Sequence, residues 1–412
     1  MKVNKRLYII PAIIFLMVVI FSQCMDKRPA TGDPRGDEYA GSSQCVSCHS
    51  AISESYFHTA HQLSTQPAGT RSIAGSFAKD SNEYFYKQNV KVVMERRDSG
   101  YYQVAYRNDT AVQAQKFDIT VGSGQKAQTY LYWYEDKIYQ LPVSYYLPLE
   151  SWANSPNYPS NQVRFDRNIP IGCFECHGSF IKRTSTEPTG EFFIDHFDRN
   201  NIIYGIDCER CHGPAAKHVA FQRDHPDEKS SRYIVSFREL SRQQKLDQCA
   251  ACHSGIKNTK RSFFYFRPGS SLSDYVHPDT STADVDEIDV HGNQYQLLAA
   301  SACFIKSKAL DCSSCHDPHL TERNDLVTFS KRCMNCHNTA NHNFCTMAPK
   351  LGAGIVNNCI DCHMPAKPSK LITLLSQGQT SLTANLVRTH FISVYKEESE
   401  KVMSSINKPT NK

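Results

Sequence analysis

The spacing of apolar residues changes along the chain and divides it into regions. Between residues 50 and 63, apolar side chains recur at every third or fourth position, which predicts an amphipathic helix. From residue 83 to 146, aromatic and β-branched residues partly alternate with polar ones, and Gly, Asn and Asp interrupt the pattern. These stretches predict several antiparallel strands. Beyond residue 167 long apolar runs are scarce, so short helical or irregular pieces are expected there.

A basic segment followed by an apolar run opens the sequence. MKVNKR precedes an apolar run that ends at Cys24, a length typical of a signal peptide rather than of a full membrane span. The letters FSQC resemble a lipoprotein cleavage box, so Cys24 is the expected lipid anchor. An uncleaved anchor helix is the alternative. Under both interpretations the chain is exported to the periplasmic or cell-surface side and stays attached to a membrane.

One short motif, Cys-x-x-Cys-His, occurs seven times and uses 14 of the 17 cysteines. The cysteine pairs are Cys45 and Cys48, Cys173 and Cys176, Cys208 and Cys211, Cys249 and Cys252, Cys312 and Cys315, Cys333 and Cys336, and Cys359 and Cys362. The histidines that follow them are His49, His177, His212, His253, His316, His337 and His363. We number the motifs 1 to 7 in this order.

The chemistry of c-type haem attachment explains this spacing. Two thiols separated by two residues form thioether bonds to the vinyl groups of one porphyrin, and the next residue binds the iron through its imidazole. Zinc ribbons need paired knuckles without an obligatory His, and thioredoxin-like pairs occur once per domain. The sequence therefore predicts seven covalently bound c-type haems, with the seven motif histidines as proximal iron ligands.

The spacing also limits which iron a further histidine can reach. His61 lies 12 residues beyond His49, which is about 18 Å along a helix. Two imidazoles on one iron have their nitrogens only about 4 Å apart, so His61 must serve a haem other than that of motif 1. The same argument holds for His218 after His212 and for His319 after His316, because such short segments cannot pass round the porphyrin.

Two cysteines, Cys303 and Cys345, lie outside the motifs in addition to Cys24. These two cysteines could form a disulfide with each other, or each could be a small, buried apolar side chain. The sequence is equally compatible with both alternatives.

Charge excludes one class of partner. The formal net charge of +5 falls to +2 when Lys2, Lys5 and Arg6 leave with the signal peptide, and seven pairs of haem propionates would make the protein acidic. Because the chain also has no run of Lys and Arg, no nucleic-acid surface is expected.

Several motif contexts resemble a known family. GIDCERCHGPAAKHV, CSSCHDPH, CIDCHMP and the opening CVSCH with YFHTAH resemble the cytochrome c-554-like multihaem proteins, relatives of the hydroxylamine oxidoreductase and multihaem nitrite reductase group. The resemblance implies distal iron ligands at several histidines outside the motifs. These are His61, His218, His319, His291, His342 and His390, and a seventh for which His58, His225 and His277 compete with the favoured His196.

We therefore expect a mainly α fold with irregular loops around packed haems and a β-rich insert between motifs 1 and 2. The predicted segments are a signal peptide with its lipoprotein-like cysteine at 1–24, a linker at 25–40, a first haem segment at 41–68, the β-rich insert at 69–166, a six-haem domain at 167–395 and a polar tail at 396–412.

Two functions compete. Histidines on both faces of each iron would block access to substrates, which favours an electron carrier that serves other cytochromes or a membrane oxidoreductase. The alternative is a multihaem oxidoreductase that acts on a small nitrogen or sulfur compound at one haem with an open iron position. No catalytic residue can be chosen from the spacing, so the electron carrier is favoured.

Overall fold

A computed structural model describes residues 32–86, 89–190, 192–255, 258–278 and 284–406. The predicted signal peptide, its Cys24 and the first part of the predicted linker lie outside the described residues. Within those ranges, no helix combines the length and the apolar character that crossing a bilayer requires.

Helices and strands occur in nearly equal amounts, 28% and 27% of the chain. The expectation of a mainly α fold is therefore wrong. Two hairpins outside the predicted insert account for much of the difference. They are rich in Thr, Ile, Leu and Phe and turn near Gly190 and Gly378, which is an ordinary strand pattern. The closely spaced motifs had favoured helices and irregular chain there instead.

The described α-helices are short, and most carry or adjoin a motif. They are α1 (Ser42–Val46), α2 (Ser50–Tyr56), α3 (Ile171–His177), α4 (Cys208–His212), α5 (Ala216–Asp224), α6 (Arg242–His253), α7 (Gln294–Ala299), α8 (Ala302–Lys306), α9 (Leu326–Met334), α10 (Ala348–Leu351), α11 (Ile360–His363) and α12 (Lys396–Ile406). Turns of 3₁₀-helix occupy Leu147–Leu149, Phe237–Glu239, Phe263–Tyr265, Leu272–Asp274, Cys312–Ser314 and Gly352–Asn357.

Local capping explains where two of the motif helices begin. Ser241 and Gln244 form a capping box at the start of α6, in which each side chain bonds the other residue's backbone N–H. Asp207 caps α4, because its carboxylate accepts a hydrogen bond from the Arg210 N–H at 2.9 Å. Both caps fix the first turn of a helix that contains a motif.

The strands form three antiparallel sheets. They are β1 (Thr65–Pro67), β2 (Glu83–Phe85), β3 (Val90–Arg97), β4 (Gly100–Arg107), β5 (Thr110–Lys116), β6 (Ile119–Val121), β7 (Ala127–Tyr134), β8 (Lys137–Gln140), β9 (Val143–Tyr146), β10 (Ser151–Asn154), β11 (Arg167–Asn168), β12 (Gly178–Thr189), β13 (Phe192–Tyr204), β14 (Ala366–Ser376) and β15 (Thr383–Arg388).

The largest sheet has the order β1-β6-β7-β9-β10-β14-β15, with β8 beside β7 and β11 beside β8. β2 to β5 form a four-stranded meander, and β12 pairs with β13 in a long ribbon. Since β10 pairs with β14 through Ala153 and Ser376, the largest sheet joins the insert to the chain that follows motif 7.

Two apolar clusters hold these parts together. An aromatic cluster that includes Tyr130 and Trp152 fills the space between the meander and the largest sheet. A second cluster packs Ile119 and Ile138 of the insert against Phe174, which lies between the two cysteines of motif 2. The insert is therefore the support on which motif 2 rests.

Candidate haem-binding sites

The motifs share one backbone geometry. In motifs 1, 5, 6 and 7, the carbonyl of the first cysteine accepts a hydrogen bond from the histidine N–H at 2.8 to 3.2 Å. Motifs 2, 3 and 4 lie within the helices α3, α4 and α6. Each motif is therefore one helical turn. Residues at positions i, i+3 and i+4 share a face of such a turn, so the two sulfurs and the imidazole are on the same side.

The residues between the cysteines face the other way. Phe174, Glu209 and Ala250 are 2%, 3% and 0% exposed, whereas Cys173 and Cys211 are exposed. In motifs 2, 3 and 4 the buried pair anchors the turn in the protein and leaves the thiols and the imidazole on the outer side. This orientation fits a large group attached to the sulfurs.

Three histidines outside the motifs face a motif histidine. The ring centroids are 6.0 Å apart for His61 and His253, 5.9 Å for His319 and His212, and 6.1 Å for His390 and His316. Imidazoles that bind the two faces of one iron have ring centres about 6 Å apart. The three pairs therefore have the spacing that a haem iron between them needs.

The planes of the paired rings differ in their relative orientation. They are nearly parallel for His319 with His212, at 20°, and for His390 with His316, at 29°. They are nearly perpendicular for His61 with His253, at 80°.

Burial keeps several of these imidazoles neutral. It lowers the pKa of His61 to about 4, with a further contribution from the charge of His253. It lowers the pKa of His390 to about 4 as well, with His316 as the next cause. A neutral imidazole retains the lone pair that binds iron, so these rings are ready to act as ligands near neutral pH.

His177 of motif 2 is exposed at its surface. Its pKa is lowered first by desolvation and then by the charges of His291 and His253, so both of these histidines lie near it. Large apolar side chains that lie beside other motifs, such as Ile52 and Leu320, are also 50% and 47% exposed, which fits an apolar group placed against them.

Two of the remaining candidates lie near other motifs. His218 on α5 directs Nδ1 to the Arg232 carbonyl oxygen at 2.8 Å, the bond that fixes the tautomer of many metal-binding histidines. This helix lies beside the chain that enters motif 1, since the Ala216 N–H donates to the Glu38 carbonyl at 3.0 Å. His342 lies in a turn five residues beyond His337, with a φ of 53°.

His196 has a different environment. It lies on β13, and its Nδ1 is 2.9 Å from an Asp136 carboxylate oxygen while its Nε2 is 3.3 Å from a Glu187 carboxylate oxygen. The Asp136 bond is the main cause that raises the pKa of His196. In this arrangement both ring nitrogens of His196 contact carboxylates. Through its contact with Asp136, the side chain links the β12–β13 ribbon to the β7–β8 turn.

Neighbouring motifs touch one another. The Cys45 sulfur lies beside that of Cys208, which brings motifs 1 and 3 together, and the Cys249 sulfur lies beside that of Cys312 in the same way for motifs 4 and 5. Arg332 donates to the Cys315 carbonyl oxygen at 2.7 Å and connects the helix of motif 6 to motif 5. The attachment points are therefore close enough for neighbouring haems to be adjacent.

The two described cysteines outside the motifs, Cys303 and Cys345, are free thiols of intermediate exposure. The disulfide that the sequence left open between them is not formed.

A buried charged group beside motifs 1 and 3 carried no signal in the sequence. The Arg35 side chain is 1% exposed and contacts the carboxylates of Asp33, Asp207 and Glu209 at 2.9, 2.7 and 3.2 Å. Its guanidinium also stacks on the Tyr39 ring, 4.3 Å from the centroid. Because Asp33 and Arg35 are about 170 residues from Asp207 and Glu209 along the chain, only the fold brings these residues together.

In the described part of the chain, no group of three or more His, Cys, Asp or Glu side chains is arranged to hold a bare metal ion.

The fold is shared with a cytochrome of known structure. That structure is the crystal structure of the outer cell wall cytochrome OcwA, which is 17% identical to this chain and superimposes with a TM-score of 0.52. The match covers 89% of this chain and 82% of the other. No family model matches the sequence, and no curated protein matches it either.

Proposed function

We propose that this chain is an exported heptahaem c-type cytochrome that transfers electrons along closely spaced haems with a histidine on each face of the iron. The observation that carries the proposal is the apposition of three imidazole pairs, each about 6 Å apart and each drawn from two different motif segments. The fold shared with an outer cell wall cytochrome supports it.

Bound haem would supply one-electron redox chemistry. The cysteines of each motif would hold it covalently, the motif histidine would be one iron ligand, and the distal histidines would keep other molecules from the iron. We assign His319 to the haem of motif 3, His61 to that of motif 4 and His390 to that of motif 5.

Proximity suggests three further assignments. His291 contributes to the pKa shift of His177 and is assigned to motif 2. His218 lies on the helix beside the chain that enters motif 1 and is assigned there. His342 is assigned to motif 7, because the nearby Cys345 contributes to the pKa shifts of both Cys359 and Cys362.

The cytochrome c-554-like resemblance and the membrane attachment belong to the same proposal. Cys24 would carry the lipid, and other cytochromes or a membrane oxidoreductase would exchange electrons with the haems. OcwA is an outer cell wall cytochrome, and that location is compatible with a cell-surface position for this chain.

His196 is the observation that favours a second function. With both its ring nitrogens bonded to carboxylates, our assignments leave His337 of motif 6 without a distal imidazole. Like His49, His177 and His363, His337 has no ring contact with another histidine among the described residues, and it is the one motif histidine to which our assignments give no partner. Motif 6 is therefore the place where a small nitrogen or sulfur compound would reach an iron, if the chain is a multihaem oxidoreductase.

Haem counting and EPR spectroscopy of the purified, oxidised protein test the proposal. We expect seven haems per chain, of which at least six are low-spin. Seven low-spin haems would support an electron carrier without an enzymatic site. A high-spin signal worth one haem, which shifts on addition of cyanide, would favour the oxidoreductase. A protein that carries no covalent haem would refute both.

A further inference from the structure

The buried group formed by Asp33, Arg35, Asp207 and Glu209, here called the Arg35 cluster, lies at the junction of motifs 1 and 3. Arg35 binds Asp33 and Asp207 in a bidentate manner, with N–O distances of 2.7 to 3.0 Å. The exposed fractions of the three acidic side chains are 4%, 6% and 1%. Three carboxylates share one guanidinium, so the cluster has a net charge of −2.

Glu209 contributes a full negative charge. One of its oxygens accepts hydrogen bonds from the Ala40 and Ala215 N–H groups at 2.9 and 2.8 Å. The other accepts from the Gly41 N–H at 2.8 Å and from Arg35. A proton on either oxygen would face a donor. Although burial raises the pKa of Glu209, these four donors favour the ionised form.

The cluster is next to the atoms that hold the haems of motifs 1 and 3. Asp207 directly precedes Cys208, and Glu209 directly follows it. The Ser42 hydroxyl links the two motifs, since it donates to Asp207 at 3.3 Å and accepts from the Cys208 N–H at 3.4 Å.

The neighbouring charges do not cancel the excess. Arg210 is buried beside the cluster, but its guanidinium donates to the Glu175 carbonyl at 2.9 Å, and Glu175 is itself a buried acid. Arg267 pairs with Glu38 at 2.6 Å. Of these two described cations, Arg267 binds a carboxylate outside the cluster and Arg210 binds a carbonyl oxygen outside it, so neither forms an ion pair with the three carboxylates of the cluster.

We propose that the Arg35 cluster sets the reduction potential of the haems at motifs 1 and 3, making them the low-potential end of the electron path. Two buried negative charges stabilise Fe(III) relative to Fe(II), and the low dielectric of the interior strengthens the effect. Arg35 acts as a positioning residue, because it holds the three carboxylates, and with them the segment before motif 1, against motif 3. The inference depends on the proposed function, since it requires haems at these motifs.

Replacement of one acid by its amide tests the inference. Asp33→Asn removes one negative charge and leaves Arg35 bonded to Asp207 and Glu209. For the loss of one buried negative charge we expect a change of about tenfold in the Fe(III)/Fe(II) ratio, which for a one-electron couple is a rise of about 59 mV in the reduction potential. Spectroelectrochemical titration should show this rise in the reduction potential of only one or two haems.

The exposed Asp109 offers a matched control. Its side chain is 91% exposed in the β4–β5 turn of the insert, so Asp109→Asn removes the same charge without reaching a motif. We expect its titration curve to coincide with that of the unmodified protein.

A second variant covers the case in which Asp33→Asn does not fold. Asp207→Asn keeps an oxygen to cap α4 and should raise the same potentials. Haem content is measured on every sample. If both variants hold their haems and titrate unchanged, or if neither holds them, the tuning role is refuted while the proposed function stands. Absence of haem from the unmodified protein would instead refute the proposed function.

Discussion

Replacement of His61 by Ala tests the pairing of distant segments most directly. The His61 ring centroid is 6.0 Å from that of His253 in motif 4, whereas His61 follows motif 1 along the chain. If His61 binds the iron of motif 4, the variant must show a high-spin ferric signal worth one haem, with no loss of haem.

The ring planes predict which EPR signal disappears. Parallel imidazole planes split the energies of the two iron d orbitals that overlap with the π systems of the rings, whereas perpendicular planes leave these two orbitals nearly equal in energy. The 80° angle between His61 and His253 therefore predicts a highly anisotropic low-spin signal. The pairs at 20° and 29° predict ordinary rhombic signals. His61→Ala should remove an anisotropic signal and leave the rhombic ones.

The same variant has a calculable effect on stability. An iron bond from His61 to the haem of motif 4 would close a loop of roughly 190 residues. In the chain-entropy treatment of loop closure, loss of this bond lowers the free energy of unfolding by at most about 5 kcal/mol. Denaturant unfolding measures this difference. His225→Ala is the control, because His225 stacks on Phe221 with centroids 4.3 Å apart and faces no motif histidine.

An unchanged set of low-spin signals in His61→Ala would refute the assignment. A high-spin haem combined with loss of a rhombic signal would show that His61 binds an iron, but would contradict its pairing with His253.

Three further variants probe other parts of the structure. His319→Ala should make the haem of motif 3 high-spin and leave that of motif 5 unchanged, as EPR spin counting will reveal; loss of the motif 5 signal would contradict our pairing. His196→Ala should not change the spin state of any haem, because both ring nitrogens of His196 already bind carboxylates. A new high-spin signal in this variant would show that His196 is an iron ligand. Gly205→Ala places a Cβ 2.0 Å from the Gln62 carbonyl oxygen, at a backbone φ of +65°. We therefore expect the free energy of unfolding to fall by about 2 kcal/mol or more. Thermal unfolding measures this loss, and an unaltered melting temperature would disprove it.

The motif chemistry could be predicted from the sequence because it depends on residues within five positions of one another. The strands of the insert were predictable for a similar reason, since alternation along 83–146 is a local signal. The β12–β13 and β14–β15 hairpins carried such a signal as well. The haem motifs around these hairpins favour a helical domain instead, and that expectation is wrong.

The pairing of residues far apart could not be predicted in the same way. The sequence shows that His61 cannot serve motif 1, but it does not show which of the other motifs His61 meets. The Arg35 cluster is the clearer case. Asp33 and Arg35 lie in the predicted linker, where charged residues are normally exposed to solvent. Only the fold places them in contact with Asp207 and Glu209.

The pairing of His61 with His253 also has a consequence for biosynthesis. The N-terminal segment is made first, but the partner of His61 is 192 positions later along the chain. With the assignments proposed here, the first segment cannot reach its final state until motif 4 has been synthesised, exported and loaded. Maturation would then proceed by the joining of early segments to late ones rather than by completion of one site after another from the N-terminus. A chain truncated before motif 4 would keep the sequence of motif 1 and still leave His61 without its partner.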